Sequence, residues 1–244
     1  MDLKKRVLEL SGLKKFNPMQ ELVLKRDWQN KSIVVSSPTA SGKTLVSELL
    51  ALNSIVSKKK KVVYTCPLKA LAFEHYSEFK KKYSAALKVR FGISTGDLDS
   101  SSRHLQNYDL IFTTYEKLDS LIRHKVDWLR DVGLLIIDEV HEIDSGRGAT
   151  LEITACKLRQ LNPKMQVLAL SATIPNSKEL SEWLEAELVE SDYRPIPLRE
   201  GVYFDKELLF SDGGKAEEVE GENPLEAIVN DTISVKKKQA MVFA

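Results

Sequence analysis

Two short polar segments carry residues suited to the chemistry of nucleoside triphosphates. The first, residues 37–44, reads Ser-Pro-Thr-Ala-Ser-Gly-Lys-Thr and follows the apolar run 33–35. A loop that opens into a helix in this way presents backbone N–H groups, a helix dipole and one lysine to phosphate oxygens. The second segment, Asp138 and Glu139, follows the apolar run 134–137 at the carboxyl end of a predicted strand, where ligands of open α/β sheets bind.

Each polar residue of this site has a predicted role. Lys43 would neutralise the β- and γ-phosphates, and Thr44 would contact Mg²⁺. We expect Asp138 to hold the same ion through water, because Mg²⁺ gives up its hydration shell reluctantly. Glu139 is the candidate to orient the attacking water and accept its proton. Hydrogen bonds to the phosphates are expected from the loop residues Thr39, Ala40, Ser41, Gly42, Lys43 and Thr44.

Gly-Lys-Thr alone is a weak signal, and its alternative interpretation is an ordinary surface turn. The preceding strand, the apolar helix that follows and the downstream acidic pair favour the phosphate loop. Ser37 stands where such loops usually have their first glycine. That position needs mainly a compact side chain, so we expect a tighter loop rather than a lost site.

The composition indicates a folded α/β protein without a dominant charge. Of 244 residues, 43% are hydrophobic, and 36 basic against 35 acidic residues leave a net charge of +1. Any nucleic-acid surface must therefore be a local patch. Cys66 and Cys156 lack metal-site spacing, which indicates buried thiols in a reducing compartment. Because no apolar run approaches the ~18 residues of a membrane span, we expect a cytoplasmic protein with no membrane partner.

Apolar runs and helical patterns alternate along the chain, which is typical of a mainly parallel sheet with helices on both faces. The predicted strands occupy residues 32–36, 62–66, 89–93, 109–113, 133–138, 166–170 and 187–190. The predicted helices occupy residues 43–57, 69–83, 114–124, 149–161 and 176–185. After residue 200 the chain becomes acidic and contains several glycines, which predicts a hairpin at 202–210 followed by a mobile linker.

The last residues predict one more helix and one more strand. Asn223 can cap a helix that has Pro224 at its first position, and residues 239–244 have the pattern of a strand. A lone strand has no sheet to join, so we expect the start of a second domain; the alternative is an edge strand of the first sheet. The predicted parts are a nucleotide-binding domain at 1–200, a hairpin and acidic linker at 201–222, and the start of the second domain at 223–244.

Further segments complete the pattern of a molecular motor. In chain order the segments are 16–20, 37–44, 67–71, 95–97, 113–117, 138–141 and 171–173. Their order resembles the first RecA-like P-loop NTPase domain of superfamily-two DExH-box helicases, over roughly residues 12–200. Residues 144–148 and 198–202 are similar to segments of the archaeal Hjm family of DNA-repair helicases and of the helicase domain of DNA polymerase theta. RNA helicases of the exosome and spliceosome share much of the pattern.

This resemblance implies roles for individual residues. It implies ATP as the nucleotide, with Gln20 reading the adenine edge and Phe16 flanking the base. It also implies that His141, which closes the catalytic acidic segment, couples that segment to Ser171 and Thr173. Contacts to the phosphates of one nucleic-acid strand are implied for Lys69, Ala70, Leu71, Thr95, Gly96, Thr114, Glu116 and Lys117. Because these are mostly small donors and backbone groups, they predict binding with little sequence preference.

The resulting hypothesis is the first motor domain of an ATP-dependent helicase that acts on single-stranded or forked nucleic acid, DNA rather than RNA. A second RecA-like domain of the same full-length chain would supply arginines for the transition state, so these residues alone are expected to hydrolyse ATP very slowly and to unwind nothing. The alternatives are an RNA helicase domain, a P-loop ATPase of another class and a non-catalytic nucleic-acid-binding module. The third would more plausibly have lost Lys43 or Glu139.

Overall fold

The computed structural model describes residues 2–96, 102–214, 216–219, 221 and 223–242. It contains two compact units, Met1–Arg194 and Pro195–Ala244. The boundary lies a few residues before the one predicted at residue 200. Asp97, the last residue of the predicted segment 95–97, lies outside the described residues.

A seven-stranded sheet with parallel pairing throughout forms the centre of the first unit. Its strands in spatial order are β3, β4, β2, β5, β6, β1 and β7. Their bounds are β1 (Ile33–Ser36), β2 (Lys61–Cys66), β3 (Phe91–Ser94), β4 (Leu110–Thr114), β5 (Val132–Ile137), β6 (Gln166–Ser171) and β7 (Glu187–Glu190). All seven predicted strands are confirmed. Because every pair is parallel, all the strands end at the same edge of the sheet, which is where both polar segments were predicted to meet.

Helices lie between the strands, as predicted. Their bounds are α1 (Leu3–Leu10), α2 (Pro18–Leu24), α3 (Lys43–Leu52), α4 (Lys69–Leu87), α5 (Tyr115–Arg123), α6 (Gly148–Leu161) and α7 (Ser177–Trp183). A π-helical turn, Asn53–Ser57, continues α3. Short 3₁₀ helices span Ser102–Asn107, Asp127–Asp131 and Val140–Asp144. The five helices predicted in this unit are confirmed, and α4 extends four residues beyond the predicted end at 83.

The core lies on both faces of the sheet. Successive strand residues point to opposite faces, so Val35 packs with the helices α1 to α4 while its neighbour Val34 packs with α5 to α7. Both valines are completely buried. Strands buried on both faces need continuous apolar runs, and this is the pattern of residues 134–137. The predicted α/β fold with helices on both faces is therefore confirmed.

One ion pair joins the segments that enter β3 and β4. The Asp109 carboxylate accepts hydrogen bonds from the Arg90 backbone N–H at 2.8 Å and from the Arg90 guanidinium at 2.9 Å. Partial burial alone would raise the pKa of Asp109, but the hydrogen bonds and charge of Arg90 outweigh it and hold the pKa below its ordinary value. A carboxyl group with a lowered pKa stabilises the fold above its unfolded pKa and loses that contribution as the pH falls through its folded pKa.

We therefore expect Asp109→Asn to destabilise the protein by about 1 kcal/mol at pH 7. The difference from the wild type should shrink below about pH 4, near the unfolded pKa of an aspartate. Urea denaturation at pH 7, 4 and 3 measures this difference in the free energy of unfolding. Asp131→Asn is the matched control, because Asp131 is exposed. A difference that stays constant across this range would show that the charge of Asp109 contributes nothing.

The second unit is a small antiparallel sheet followed by a helix. Its strands are β8 (Gly201–Phe204), β9 (Glu207–Phe210) and β10 (Glu217–Glu218), in the order β10, β9, β8. Helix α8 spans Pro224–Asn230 and is capped by the Asn223 side chain, which accepts from the N–H groups of Leu225 and Glu226. The predicted hairpin and the predicted helix with its cap are both confirmed.

Two predictions for this unit were wrong. Part of the predicted acidic linker pairs with the hairpin as β10. Val219, which follows it, is buried, and Glu217 forms solvent-exposed ion pairs with Arg199 and Lys236. The strand predicted at 239–244 is not formed by residues 239–242, and the last two residues lie outside the described part. A strand needs a partner, and among the described residues none pairs with this segment.

Candidate functional site

The phosphate loop between β1 and α3 lines a cleft of about 320 Å³. The lining residues are Thr39, Ala40, Ser41, Gly42, Lys43, Thr44, Leu71, Glu74, His75, Asp138 and Glu139. Ala40 and Gly42 have positive φ angles of 60° and 85°. Gly42 is the N-cap of α3 and offers no side-chain cap, so the first N–H groups of that helix need other partners. The loop thus places a helix start that has no side-chain cap beside Lys43.

Two side chains at the start of α2 donate hydrogen bonds to backbone carbonyls of the phosphate loop. The Gln20 side-chain Nε2 donates to the Gly42 carbonyl at 3.0 Å, and the Asn17 Nδ2 donates to the Ser41 carbonyl at 2.8 Å. Gly42 has a φ of 85°, which favours glycine, and a Cβ atom there would lie 2.6 Å from Gln20 Nε2 and displace that side chain from the loop. Phe16 and Gln20 are not among the residues that line the cleft, and their contact with adenine remains a prediction.

Ser37 closes the loop at the position where a glycine is usual. Its hydroxyl lies 2.5 Å from the hydroxyl of Ser41, and its N–H donates to the carbonyl of Ser171 at the end of β6, at 3.2 Å. The serine pair crosses the base of the loop. That Ser37 makes the loop tighter than a glycine would remains a prediction.

Lys43 folds back onto its own loop. Its ammonium donates to the carbonyls of Ser37 at 2.7 Å and Pro38 at 2.9 Å. Burial lowers the pKa of Lys43, while the negative charges of Glu139 and Asp138 oppose that shift. A bound phosphate would give the same ammonium a charged partner in place of two neutral carbonyls, and charged partners form the stronger hydrogen bonds.

Asp138 follows β5 and is held by three donors. Its Oδ2 contacts the Tyr64 hydroxyl at 3.1 Å and the His75 Nε2 at 2.9 Å, and its Oδ1 accepts the Glu139 N–H at 3.1 Å. The carboxylate therefore has one fixed orientation at the cleft. Sequence reasoning missed Tyr64 and His75. Helical spacing places His75 on the face of α4 that carries Leu71, but Leu71 was predicted to contact nucleic acid, so this spacing did not point to Asp138.

Glu139 and His141 connect the acidic segment to β6. Burial, together with the charge of Asp138, raises the pKa of Glu139, and its backbone is left-handed with a φ of 51°. His141 Nδ1 lies 3.4 Å from Glu139 Oε2 and 3.4 Å from the backbone nitrogen of Ala172. His141 thus lies between the acidic pair and the segment 171–173, where the sequence predicted a coupling contact.

The two hydroxyls predicted to take part in that coupling lie in different surroundings. Ser171 is completely buried, and its hydroxyl has no hydrogen-bond partner in the described part of the chain. Thr173 is exposed. Their role in coupling therefore remains a prediction.

A second, larger cleft of about 650 Å³ lies beside the carboxyl ends of β2 to β4. Seven of the eight residues predicted to contact nucleic acid line it: Lys69, Ala70, Thr95, Gly96, Thr114, Glu116 and Lys117. The eighth, Leu71, lines the phosphate-loop cleft instead. Two residues along a helix correspond to about 200° of rotation, so Lys69 and Leu71 point to different sides of α4.

Five further residues line this second cleft: Pro67 and Leu68, and three polar side chains that the prediction missed, Ser120, Arg123 and Arg147. Glu116, Ser120 and Arg123 are spaced four and three residues apart, which places them on one face of α5, so helical spacing could have found them. Arg147 has no such signal. It reaches from the start of α6 to donate to the carbonyl of Pro67, and its Nε lies 3.7 Å from Glu116 Oε1.

Only one of the two cysteines is buried, although both were predicted to be. Cys66 is buried at the end of β2, as predicted, but Cys156 is exposed on α6. Its neighbour Ala155 takes the buried position of that helix turn. Among the described residues, no helix has the length and apolar character needed to span a membrane.

The sheet order, the phosphate loop after β1 and the acidic pair after β5 define a RecA-like P-loop nucleotide-binding domain. The chain belongs to the DEAD/DEAH box helicase family, whose model matches residues 17–180. The resemblance to superfamily-two helicases is confirmed by this match.

Relatives of the chain are named ATP-dependent DNA helicase Hel308. The protein of this name from Thermococcus kodakarensis is 46% identical over 241 residues, which are 98% of this chain and 21% of the relative. The protein from Pyrococcus abyssi is 43% identical over 98% of this chain and 32% of its own length. The chain thus spans about a fifth to a third of these relatives. Their names confirm the finer resemblance to archaeal DNA helicases.

A solved structure supports the fold. The crystal structure of DUF1998 helicase MrfA bound to DNA superimposes with a TM-score of 0.69, covering 79% of this chain and 30% of that one. At 24% sequence identity, the likeness concerns the fold alone.

Proposed function

We propose that this chain is the ATP-binding first motor domain of an ATP-dependent DNA helicase. The observation that supports it most directly is that Lys43, Thr44, Asp138 and Glu139 line one cleft, although 95 residues separate the loop lysine from the acidic pair (138 − 43 = 95). The relatives named DNA helicases favour DNA over RNA as the substrate of this chain.

The side chains of the cleft fit a Mg²⁺-bound triphosphate. Thr44 offers a hydroxyl and Asp138 a carboxylate, and hard oxygen ligands of this kind are those that Mg²⁺ prefers. When bound, the ion would neutralise charge on the β- and γ-phosphates. Lys43 would bind the same phosphates, and Glu139 would orient a water and take its proton. Tyr64 and His75 would keep the Asp138 carboxylate turned toward the ion.

We propose that the second cleft binds the phosphates of one DNA strand and responds to the nucleotide through α5. Tyr115, the first residue of α5, donates a hydrogen bond from its hydroxyl to the Asp138 carbonyl. Its neighbours Thr114, Glu116 and Lys117 line the second cleft. A displacement of Asp138 when the triphosphate binds or leaves would therefore move the residues that hold the strand.

The relatives are three to five times as long as this chain, so a complete motor would contain more than the parts described here. We propose that a second RecA-like domain supplies the arginines that stabilise the transition state, and that residues 223–244 belong to its beginning. Because such arginines contribute on the order of 10³–10⁵ in rate, the present residues alone should bind ATP and turn it over very slowly.

We expect the double variant Lys69→Glu, Arg123→Glu to weaken binding of single-stranded DNA at least tenfold, because two cations of the second cleft become anions beside the phosphates. The loss should diminish as salt is raised, since such contacts depend on ion release. Fluorescence anisotropy with a labelled oligo-dT measures this effect, and oligo-rU of the same length tests the RNA alternative.

Lys164→Glu is the matched control, because Lys164 is exposed just before β6, at the opposite edge of the sheet. Binding of a fluorescent ATP analogue should stay within twofold in both variants. Unchanged DNA affinity in the double variant would overturn the assignment of the second cleft. Loss of ATP binding in the same variant would instead indicate a folding defect, which circular dichroism would detect.

A further inference from the structure

We propose that Cys66, His75 and Asp138 form a binding site for a borderline divalent cation, Zn²⁺, beside the predicted Mg²⁺ position. One ligand atom from each of these residues lies within 4.8 Å of the other two. The three atoms are a thiol sulfur, an imidazole nitrogen and a carboxylate oxygen. Binding of Zn²⁺ here is independent of the proposed function, and only its effect on ATP rests on that function.

The fold brings these residues together through three elements. Strands β2 and β5 are neighbours in which Thr65 pairs with Ile137, so the next residues, Cys66 and Asp138, leave the same edge side by side. His75 reaches them from the second turn of α4, with Nε2 at 2.9 Å from Asp138 Oδ2. The sequence gives no hint of this set, because the three positions lack the spacing of a zinc motif.

The three side chains are largely enclosed by the protein. Cys66 is completely buried, and the side chains of His75 and Asp138 are only 13% and 11% exposed. His75 and Asp138 also line the phosphate-loop cleft, which gives an ion a path from solvent.

The ligand types select the ion. Sulfur, nitrogen and oxygen donors from three side chains, with a fourth position open to water, are a typical zinc environment, whereas Mg²⁺ takes oxygen ligands. Zinc–ligand bonds of about 2.0–2.3 Å in a tetrahedron place the ligand atoms roughly 3.3–3.6 Å apart. A pair of ligand atoms at the 4.8 Å limit would need to close by about an ångström, whereas His75 Nε2 and Asp138 Oδ2, now 2.9 Å apart, would need to separate slightly.

Binding requires the Cys66 thiol to give up its proton to solvent. The incoming cation replaces that proton, which balances the negative charge of the thiolate. In the proposed motor, a Zn²⁺ ion here would engage Asp138 and compete with its Mg²⁺ role, so Zn²⁺ should weaken ATP·Mg²⁺ binding.

Co²⁺ titration of the complete 244-residue chain without nucleotide tests the site, because tetrahedral Co²⁺–thiolate sites absorb in both the near-ultraviolet and the visible. We expect one equivalent of Co²⁺ to produce both bands and Zn²⁺ to displace it. Cys66→Ser should abolish the near-ultraviolet band, and His75→Gln should lower Co²⁺ affinity at least tenfold. Cys156→Ser, which removes the exposed cysteine, is the matched control and should behave as the wild type.

Absence of the near-ultraviolet band from the wild type would overturn the proposal, as would its persistence in Cys66→Ser. Circular dichroism of each variant establishes that it is folded. Binding of a fluorescent ATP analogue, measured without Co²⁺ or Zn²⁺, is a separate readout. A chain that binds Co²⁺ but no ATP would overturn the proposed function and leave the zinc site unaffected. A chain that binds ATP but no Co²⁺ would overturn the zinc site and leave the proposed function unaffected.

Discussion

Replacing Lys43 with alanine is expected to lower the affinity for ATP·Mg²⁺ at least a hundredfold. Lys43 is the one lysine or arginine that lines the phosphate-loop cleft among the described residues. Hydrogen bonds to charged groups contribute about 1.5–3 kcal/mol each, and a factor of one hundred corresponds to about 2.7 kcal/mol. Loss of a single strong phosphate contact therefore suffices for the predicted effect.

The same substitution should leave the fold nearly unchanged. In the free protein the ammonium contacts only the carbonyls of Ser37 and Pro38 among the described groups, and water can replace it there. Titration of a fluorescent ATP analogue measures the affinity, with Lys164→Ala at the far edge of the sheet as the matched control. Binding within threefold of the wild type in Lys43→Ala would show that the cleft does not hold the triphosphate in the predicted way.

The fold of the first unit was predictable from sequence because five of its seven strands, β1, β2, β4, β5 and β6, are buried on both faces. Runs such as 134–137 contain nothing but branched apolar residues, and glycine, proline or charged residues border them. Continuous runs that alternate with helical patterns leave a parallel sheet as the main solution. The edge at which functional residues meet then follows from the direction of the strands. This is why Lys43 and the acidic pair were correctly placed in one cleft.

Side-chain environment was less predictable, because it depends on how each helix is rotated against the sheet. Leu71 was grouped with Lys69 by its position in one motif, yet the two point into different clefts. His75 has no motif, and its contact with Asp138 exists only because α4 crosses the end of β2. Cys66 was interpreted as an ordinary buried thiol, since a set of ligands from three separate elements has no linear spacing.

The second unit shows what composition alone fails to predict. An acidic, glycine-containing segment indicates a linker when charges face water. Glu217 instead forms ion pairs with Arg199 and Lys236, and these partners lie 18 and 19 residues away in the sequence (217 − 199 = 18; 236 − 217 = 19). Composition alone cannot reveal such pairing, so the short strand β10 was missed.

Replacing Glu139 with glutamine should separate binding from hydrolysis. Glutamine keeps the size of the side chain and its place in the cleft, so affinity for ATP·Mg²⁺ is expected to stay within twofold. The amide cannot accept a proton from water, and general-base catalysis contributes typically about 10²–10⁴ in rate. We therefore expect the hydrolysis rate to fall at least a hundredfold. The burial that raises the pKa of Glu139 makes its carboxylate a stronger base, in keeping with this role.

Single-turnover hydrolysis of labelled ATP, with the protein in excess and followed for hours, suits the slow rate expected of this chain. Glu152→Gln is the matched control, because Glu152 is exposed on α6. Hydrolysis at the wild-type rate in Glu139→Gln would assign the base to another group, whereas equal loss of binding and hydrolysis would mean that Glu139 holds the nucleotide. Lys43→Ala should lose affinity for ATP·Mg²⁺ before any hydrolysis can occur. The two variants together therefore distinguish the phosphate-binding residue from the proton acceptor within one cleft.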